Sequence, residues 1–208
     1  MTTFVPSRHL GAIVLLGSLV FFLPRPASAQ APGNFEVGIQ VPVARSGEFD
    51  AFDAGVGGRF AWRPASAIGL EGEINFYPTE FTGPLPFSKT RIEGLFGVTV
   101  GPSFGAFRPF ARVGSGFLSF LGRSVPYPCI LIYPPPLSCE LASGQTLPAV
   151  DIGGGVEIFT SGRVFIRADV GDRMVKYSGP VISADRKISM DGFFSHDFRF
   201  ATGAGLRF

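Results

Sequence analysis

From Asp197 to Phe208 apolar and polar positions alternate with a period of two. Phe198, Phe200, Thr202, Ala204, Leu206 and Phe208 form one set, and Asp197, Arg199, Ala201, Gly203, Gly205 and Arg207 the other. Successive side chains of a β-strand point to opposite faces, so the segment predicts a strand with one apolar face and one face of charges and glycines. The pattern recurs upstream in seven segments: Asn34–Val43, Phe52–Arg63, Ala67–Phe76, Thr90–Gly101, Phe110–Phe120, Ala149–Phe159 and Val164–Arg173. In the first, Phe35, Val37, Ile39 and Val41 oppose Glu36, Gly38 and Gln40; in the third, Ile68, Leu70, Ile74 and Phe76 oppose Glu71, Glu73 and Asn75. The fifth is less regular, since Phe110, Leu118 and Phe120 fall on the face that elsewhere holds charges and glycines.

The connections alternate in length. Those after the second, fourth and sixth segments are short: Pro64–Ser66, the stretch from Pro102 to Pro109, and Thr160–Arg163. Those after the third, fifth and seventh are long: Tyr77–Lys89, Leu121–Leu147, and the polar run through Lys176, Asp185, Arg186 and Lys187. Arg45–Asp50 joins the first two. An even number of strands of 9–11 residues, with short turns at one end and long loops at the other, is the outer-membrane arrangement. The expected fold is all-β, an eight-stranded antiparallel up-and-down transmembrane β-barrel, with both termini at the periplasmic end.

Composition supports strands over helices, with 28 Gly and 23 Phe in 208 residues. Residues 1–29 read as a cleaved signal peptide, with Arg8, the apolar run Leu10–Leu23 and the small-x-small site Ala27-Ser28-Ala29. Residues 30–208 are then the barrel domain, with Gln30 as the mature start. Removing Arg8 and Arg25 from 18 basic residues leaves 16 against 16 acidic ones, so nothing electrostatic predicts nucleic acid as a partner. No segment after residue 29 approaches the length of apolar run that a membrane helix needs.

Alternation alone does not say which face is out, but the polar face does. Gly38, Gly55, Gly57, Gly97, Gly114, Gly116, Gly153, Gly155, Gly203 and Gly205 lie on it. Glycine weakens a solvated strand, whereas the narrow interior of an eight-stranded barrel needs such positions beside long side chains. Those long side chains carry both signs: Glu36, Arg59, Glu71, Glu73, Arg91, Glu93, Arg112, Asp151, Glu157, Arg167, Asp169, Asp197, Arg199 and Arg207. Buried charges require partners, so a paired luminal network is expected, with Arg59 and Arg91 facing the Glu71 and Glu73 carboxylates. Such a network fills the lumen and disfavours a pore.

The signal peptide, the eight alternating segments and the ending Gly203-Ala-Gly-Leu-Arg-Phe208 resemble the small outer-membrane β-barrel family of OmpA-type and OmpX-type proteins. Stretches such as Pro109-Phe-Ala-Arg-Val-Gly-Ser-Gly-Phe117 and Val150-Asp-Ile-Gly-Gly-Gly-Val156 are typical of it. The resemblance implies that Phe208, with Leu206 and Phe200, is the signal read by the barrel-assembly machinery. The chain lacks the C-terminal peptidoglycan-binding domain of the OmpA type, so tethering to the cell wall is not expected.

Candidate chemistry is sparse. Ser195, His196 and Asp197 are adjacent, but on a strand Ser195 and Asp197 share a face and His196 takes the other, so a converging triad is not expected. Cys129 and Cys139, an even pair in an exported chain, are expected to form a disulfide; no cofactor or metal is expected. The apolar stretch Cys129–Leu137 either contacts a partner or packs over the barrel mouth. The expected function is non-enzymatic: a structural or surface-interaction role through the extracellular loops, above all residues 121–147. The expected partners are outer-membrane lipid, the assembly machinery and an extracellular molecule. A small channel or a lipid-modifying enzyme is the alternative.

Overall fold

The computed structural model describes residues 33–78, 90–121, 129 and 132–208. The expected signal peptide and its cleavage site lie outside the described residues. So do residues 79–89 of one long connection, and residues 122–128, 130 and 131 of another, which include Pro126 and Pro128.

The strands are β1 (Phe35–Ser46), β2 (Ala51–Ala54), β3 (Val56–Ala65), β4 (Ile68–Tyr77), β5 (Arg91–Val100) and β6 (Phe107–Phe120). A short helix, α1 (Leu137–Ala142), precedes β7 (Gln145–Phe159), β8 (Val164–Tyr177), the two-residue strands β9 (Val181–Ile182) and β10 (Ile188–Ser189), and β11 (Phe193–Arg207). Sequential wall strands pair antiparallel, and β11 pairs back onto β1 from Glu36↔Arg207 to Arg45↔Phe198. That last pairing closes the sheet. β2 and β3 form one stave interrupted at Gly55, so the barrel has eight staves. At Gly55 a Cβ would stand 2.6 Å from the Phe76 carbonyl oxygen and 2.9 Å from the Tyr77 ring, so only glycine fits the break.

Proline marks where the ladders lapse. Pro109 lies in β6 beyond the point where β5 stops pairing, at Val100↔Ala111. Pro148 lies in β7 just before the β8 ladder begins at Ala149↔Val175. A residue without an N–H is tolerated where one neighbour is missing. Proline had suggested that the fifth strand starts at Phe110; it starts at Phe107. Pro64 likewise belongs to β3, inside a register shift between Trp62 and Ala65, and the turn is Ser66-Ala67. β7, β8 and β11 run further toward the loop end than the sequence pattern indicated, to Gln145, Tyr177 and Phe193. Their inward residues there are uncharged, chiefly apolar, which hides the alternation.

The outer wall is apolar. Val37, Ile39, Val41, Val56, Phe60, Ile74, Phe96, Val113, Ile152, Ile166, Val170 and Phe200 all point away from the lumen, with Ile39 75% exposed. The inner wall is polar, and it supplies the candidate site.

Candidate functional site

Among the described residues the lumen holds nine buried carboxylates (Glu36, Asp53, Glu71, Glu73, Glu93, Asp151, Glu157, Asp169 and Asp197) and eight buried arginines (Arg59, Arg63, Arg91, Arg108, Arg112, Arg167, Arg173 and Arg199). Arg207, half-buried, is a ninth cation. Period-two alternation brings every one of them inward. Eight staves leave a bore about as wide as the side chains themselves, so these groups meet across it.

They form three tiers. At the end where β1 begins and β11 stops, Glu36 pairs with Arg63 at 2.7 Å and accepts from Arg207 at 2.5 Å. Beside it Glu157 faces Arg59 at 3.3 Å, Arg63 at 3.1 Å and Arg167 at 3.2 Å, and also pairs with Arg108. Arg167 grips Glu71 with two bonds, 2.7 and 2.8 Å. In the middle tier Arg112 forms an ion pair with Asp151 at 2.7 Å and approaches Asp169 at 3.3 Å, while Arg199 forms one with Glu73 at 2.5 Å. Gln40 bridges Glu73 at 3.0 Å and Asn75 at 2.8 Å. Toward the loops, Arg173 pairs with Glu93 and bonds Asp197 at 2.7 Å, and Arg91 pairs with Asp53.

One of the two expected pairings differs. Arg59 does bond Glu71, at 3.0 Å, but Arg91 serves Asp53 and leaves Glu73 to Arg112 and Arg199. The register explains it, since Arg91 lies opposite Tyr77 while Glu73 lies opposite Leu95, further down the wall. Arg108 and Arg173 do not figure in the expected network: Arg108 precedes the strand start suggested by proline, and Arg173 is the last residue of a segment taken to end there. Asp53 and Arg63 carry the inward parity of their strand and were legible from it.

At the loop end the inward wall of β6, β7 and β8 turns apolar, through Leu118, Phe120, Leu147, Ala149, Val175 and Tyr177. The three aromatic and aliphatic exceptions of the fifth segment thus do face inward. Leu118 and Phe120 meet α1, whose Leu137, Leu141 and Ala142 fill this vestibule. Cys139 on α1 is disulfide-bonded to Cys129. The described residues of the stretch Cys129–Leu137 differ in burial. Leu137 is buried in the mouth, whereas Ile132 and Tyr133 are exposed.

The loops are joined to one another. Ile182 N donates to Pro135 O at 2.9 Å, linking the β8–β11 loop to the segment before α1. Ala184 N donates to Glu48 Oε1 at 2.6 Å, linking it to the β1–β2 loop. Gly47 N donates to Asp197 Oδ1 at 3.0 Å, anchoring that loop to the luminal network. Burial raises the Glu48 carboxyl above its usual range, and the nearby Asp185 and Asp197 charges add to the rise against the lowering effect of the Ala184 bond.

Ser195 and Asp197 lie inside, with the Ser195 hydroxyl donating to Asp197 Oδ1 at 3.3 Å. His196 is on the outer wall, its Nδ1 2.6 Å from Asp172 Oδ2. The three therefore do not converge. Among the described residues no group of three or more His, Cys, Asp and Glu is arranged to hold a metal ion. Phe200, Leu206 and Phe208 lie on the lipid-facing wall of β11, and Phe208 exchanges backbone bonds with Phe35 at the seam.

This geometry defines a closed eight-stranded antiparallel barrel with an apolar exterior and a filled polar interior. No protein-family model and no curated protein sequence matches the chain. Among solved structures, Neisserial surface protein A is similar with a TM-score of 0.51 at 13% identity, covering 86% of this chain and all of that one (100%). OprG from Pseudomonas aeruginosa gives a TM-score of 0.49 at 13% identity over 86% of this chain and 98% of its own. The N-terminal β-barrel domain of Pseudomonas aeruginosa OprF gives 0.47 at 13% identity over 85% and 99%. The fold is that of the small outer-membrane β-barrels.

Proposed function

We propose that this chain is a bacterial outer-membrane protein, exported through a cleaved signal peptide, with a non-enzymatic structural or surface-interaction role carried by its extracellular loops. The observation that carries this reading is the lumen, where side chains from all eight staves meet in ion pairs and α1 fills the mouth. A filled bore leaves the lipid-facing wall and the loop surface as the places where the protein meets other molecules. The wall is suited to outer-membrane lipid. The loop surface exposes Ile132, Tyr133, Ile188 and Met190, apolar side chains of the kind that contact an extracellular partner. Phe208, Leu206 and Phe200 would serve the assembly machinery during biogenesis.

The experiment is conductance of the purified barrel in a planar bilayer. The reading expects no discrete steps; sustained unitary conductance would sink it in favour of a channel. The enzymatic alternative is tested by acyl hydrolysis of lipid A, where wild type and His196→Ala are expected to be equally inactive. N-terminal sequencing of the membrane-extracted protein should begin at Gln30.

A further inference from the structure

The outer wall carries charge in one sector. Among the described residues, its outward strand positions hold only four ionisable side chains: Arg45 on β1, Asp172 and Lys176 on β8, and His196 on β11. β8, β11 and β1 are consecutive staves, and all four groups stand at their loop ends. The register sets the cations on a diagonal. Arg45 lies opposite Phe198, His196 opposite Met174, and Lys176 opposite Phe194. Arg45 and Lys176 are thus each a diagonal cross-strand neighbour of His196, roughly 7–8 Å from it along the wall. At the loop ends of other staves the outward residues are uncharged, as at Phe76, Ile92 and Phe117.

The apolar band below sets their height. From Phe198 to Phe208 a tilted strand rises roughly 25 Å along the membrane normal, the height of the lipid-facing band of an outer-membrane barrel. With Phe198 at the upper edge, the diagonal lies where lipid headgroups begin. The carboxylates there are engaged. Asp172 Oδ2 is 2.6 Å from His196 Nδ1, and Asp50 Oδ1 accepts from Arg45 Nε at 3.1 Å and Nη2 at 2.5 Å. Both pairs are exposed, where an ion pair contributes little. Lys176 has no carboxylate partner among the described residues. Its Nζ donates to the Asp191 carbonyl oxygen at 3.2 Å and stands 4.9 Å from the Phe194 ring centre. An ammonium has three protons, so donors remain for another acceptor.

We infer that this sector binds the anionic phosphate headgroup of an outer-leaflet lipid, whose acyl chains lie on the row Val43, Phe200 and Val170 beneath it. The inference rests on the lipid-facing reading of the wall and adds where on that wall one lipid class is selected. Lys176 meets the phosphate directly, as a compact cation with free donors. Arg45 keeps Asp50 and offers its remaining guanidinium nitrogen to the same headgroup. Cations at headgroup level draw anionic lipid, each by a modest amount. Asp172 is the opposing charge, and its contact with His196 limits that opposition.

The test is quenching of tryptophan fluorescence by dibrominated phosphatidic acid or dibrominated phosphatidylcholine, with the protein folded in phosphatidylcholine vesicles. Phe198→Trp reports on the sector and Phe76→Trp on a stave outside it, each in a Trp62→Phe background, Trp62 being the only native tryptophan. The sector reporter should show phosphatidic acid favoured on the order of 10-fold, and the other reporter close to no preference. Lys176→Gln should lower the preference about fivefold, the loss for one interfacial cation, and Lys176→Arg should retain it. Equal preference at the two reporters would overturn the inference, as would a preference that Lys176→Gln leaves unchanged. So would its loss on adding inorganic phosphate at constant ionic strength, since the site would then take a soluble anion. Absence of quenching by either lipid at both reporters would overturn the lipid-facing reading beneath it as well.

Discussion

Glu157 offers the sharpest test of the luminal network. It is fully buried and faces Arg59, Arg63 and Arg167 at 3.1–3.3 Å, with Arg108 against its other oxygen. Five arginines of that tier (Arg59, Arg63, Arg108, Arg167 and Arg207) share Glu36, Glu71 and Glu157, with Asp169 also serving Arg167. Glu157→Gln preserves shape and removes one negative charge from this positive cluster. At about 3.2 Å and an effective dielectric constant of about 20, each ion pair is worth roughly 5 kcal/mol of gross attraction. Most of that is offset by the desolvation that the carboxylate no longer bears, and the net cost of breaking a buried pair is about 3–5 kcal/mol. Equilibrium urea unfolding in lipid vesicles, read from the mobility of folded and unfolded protein, gives the value, provided the m-value is unchanged. Adding Arg63→Gln restores the original charge balance and should recover at least ~1 kcal/mol relative to the sum of the single changes. A Glu157→Gln loss below ~1 kcal/mol, or strict additivity in the double variant, would refute the idea that charge balance stabilises the lumen.

Three further outcomes follow from other parts of the molecule. Ile39→Arg puts a cation in the middle of the lipid-facing wall and should lower stability in vesicles by about 2–4 kcal/mol, measured by the same urea titration. Gly205→Leu should reduce folded yield, because even a Cβ there would lie 2.4 Å from the Phe165 ring; the folded fraction on a cold gel reads it. The raised Glu48 carboxyl favours its neutral form in the joined loops, so its contribution is full at low pH and is lost as pH rises through the raised value. Exchange at Ala184, corrected for intrinsic rate, should therefore slow as pH falls through the raised value, and Glu48→Gln should abolish that dependence.

Much of the wall was legible because a strand reports its faces directly. Glu71 and Arg199 announce the lumen, and Ile39 and Phe200 the lipid. Leu118 and Phe120 were legible as inward residues but not explicable, since their reason is α1, which sits elsewhere in the chain. The helix itself was hidden. Six residues after three prolines offer less than two turns of periodicity, and Leu137 and Leu141 read equally well as loop residues. Which arginine meets which carboxylate was beyond sequence, because it depends on how far each strand is offset from its neighbour.

That offset gives the arginine lattice a further consequence. The lipid-facing wall is indifferent to alignment: sliding β11 along β1 by two residues leaves Phe198 and Phe200 facing lipid and leaves each polar residue facing inward. The same slide carries Arg199 about 6–7 Å from Glu73 and Arg207 as far from Glu36, beyond any ion pair. Arg207 and Glu36 are 171 residues apart, so their bond forms only when the last strand meets the first. The interior thus works as a checksum on the seam, one the outer wall has no means to compute.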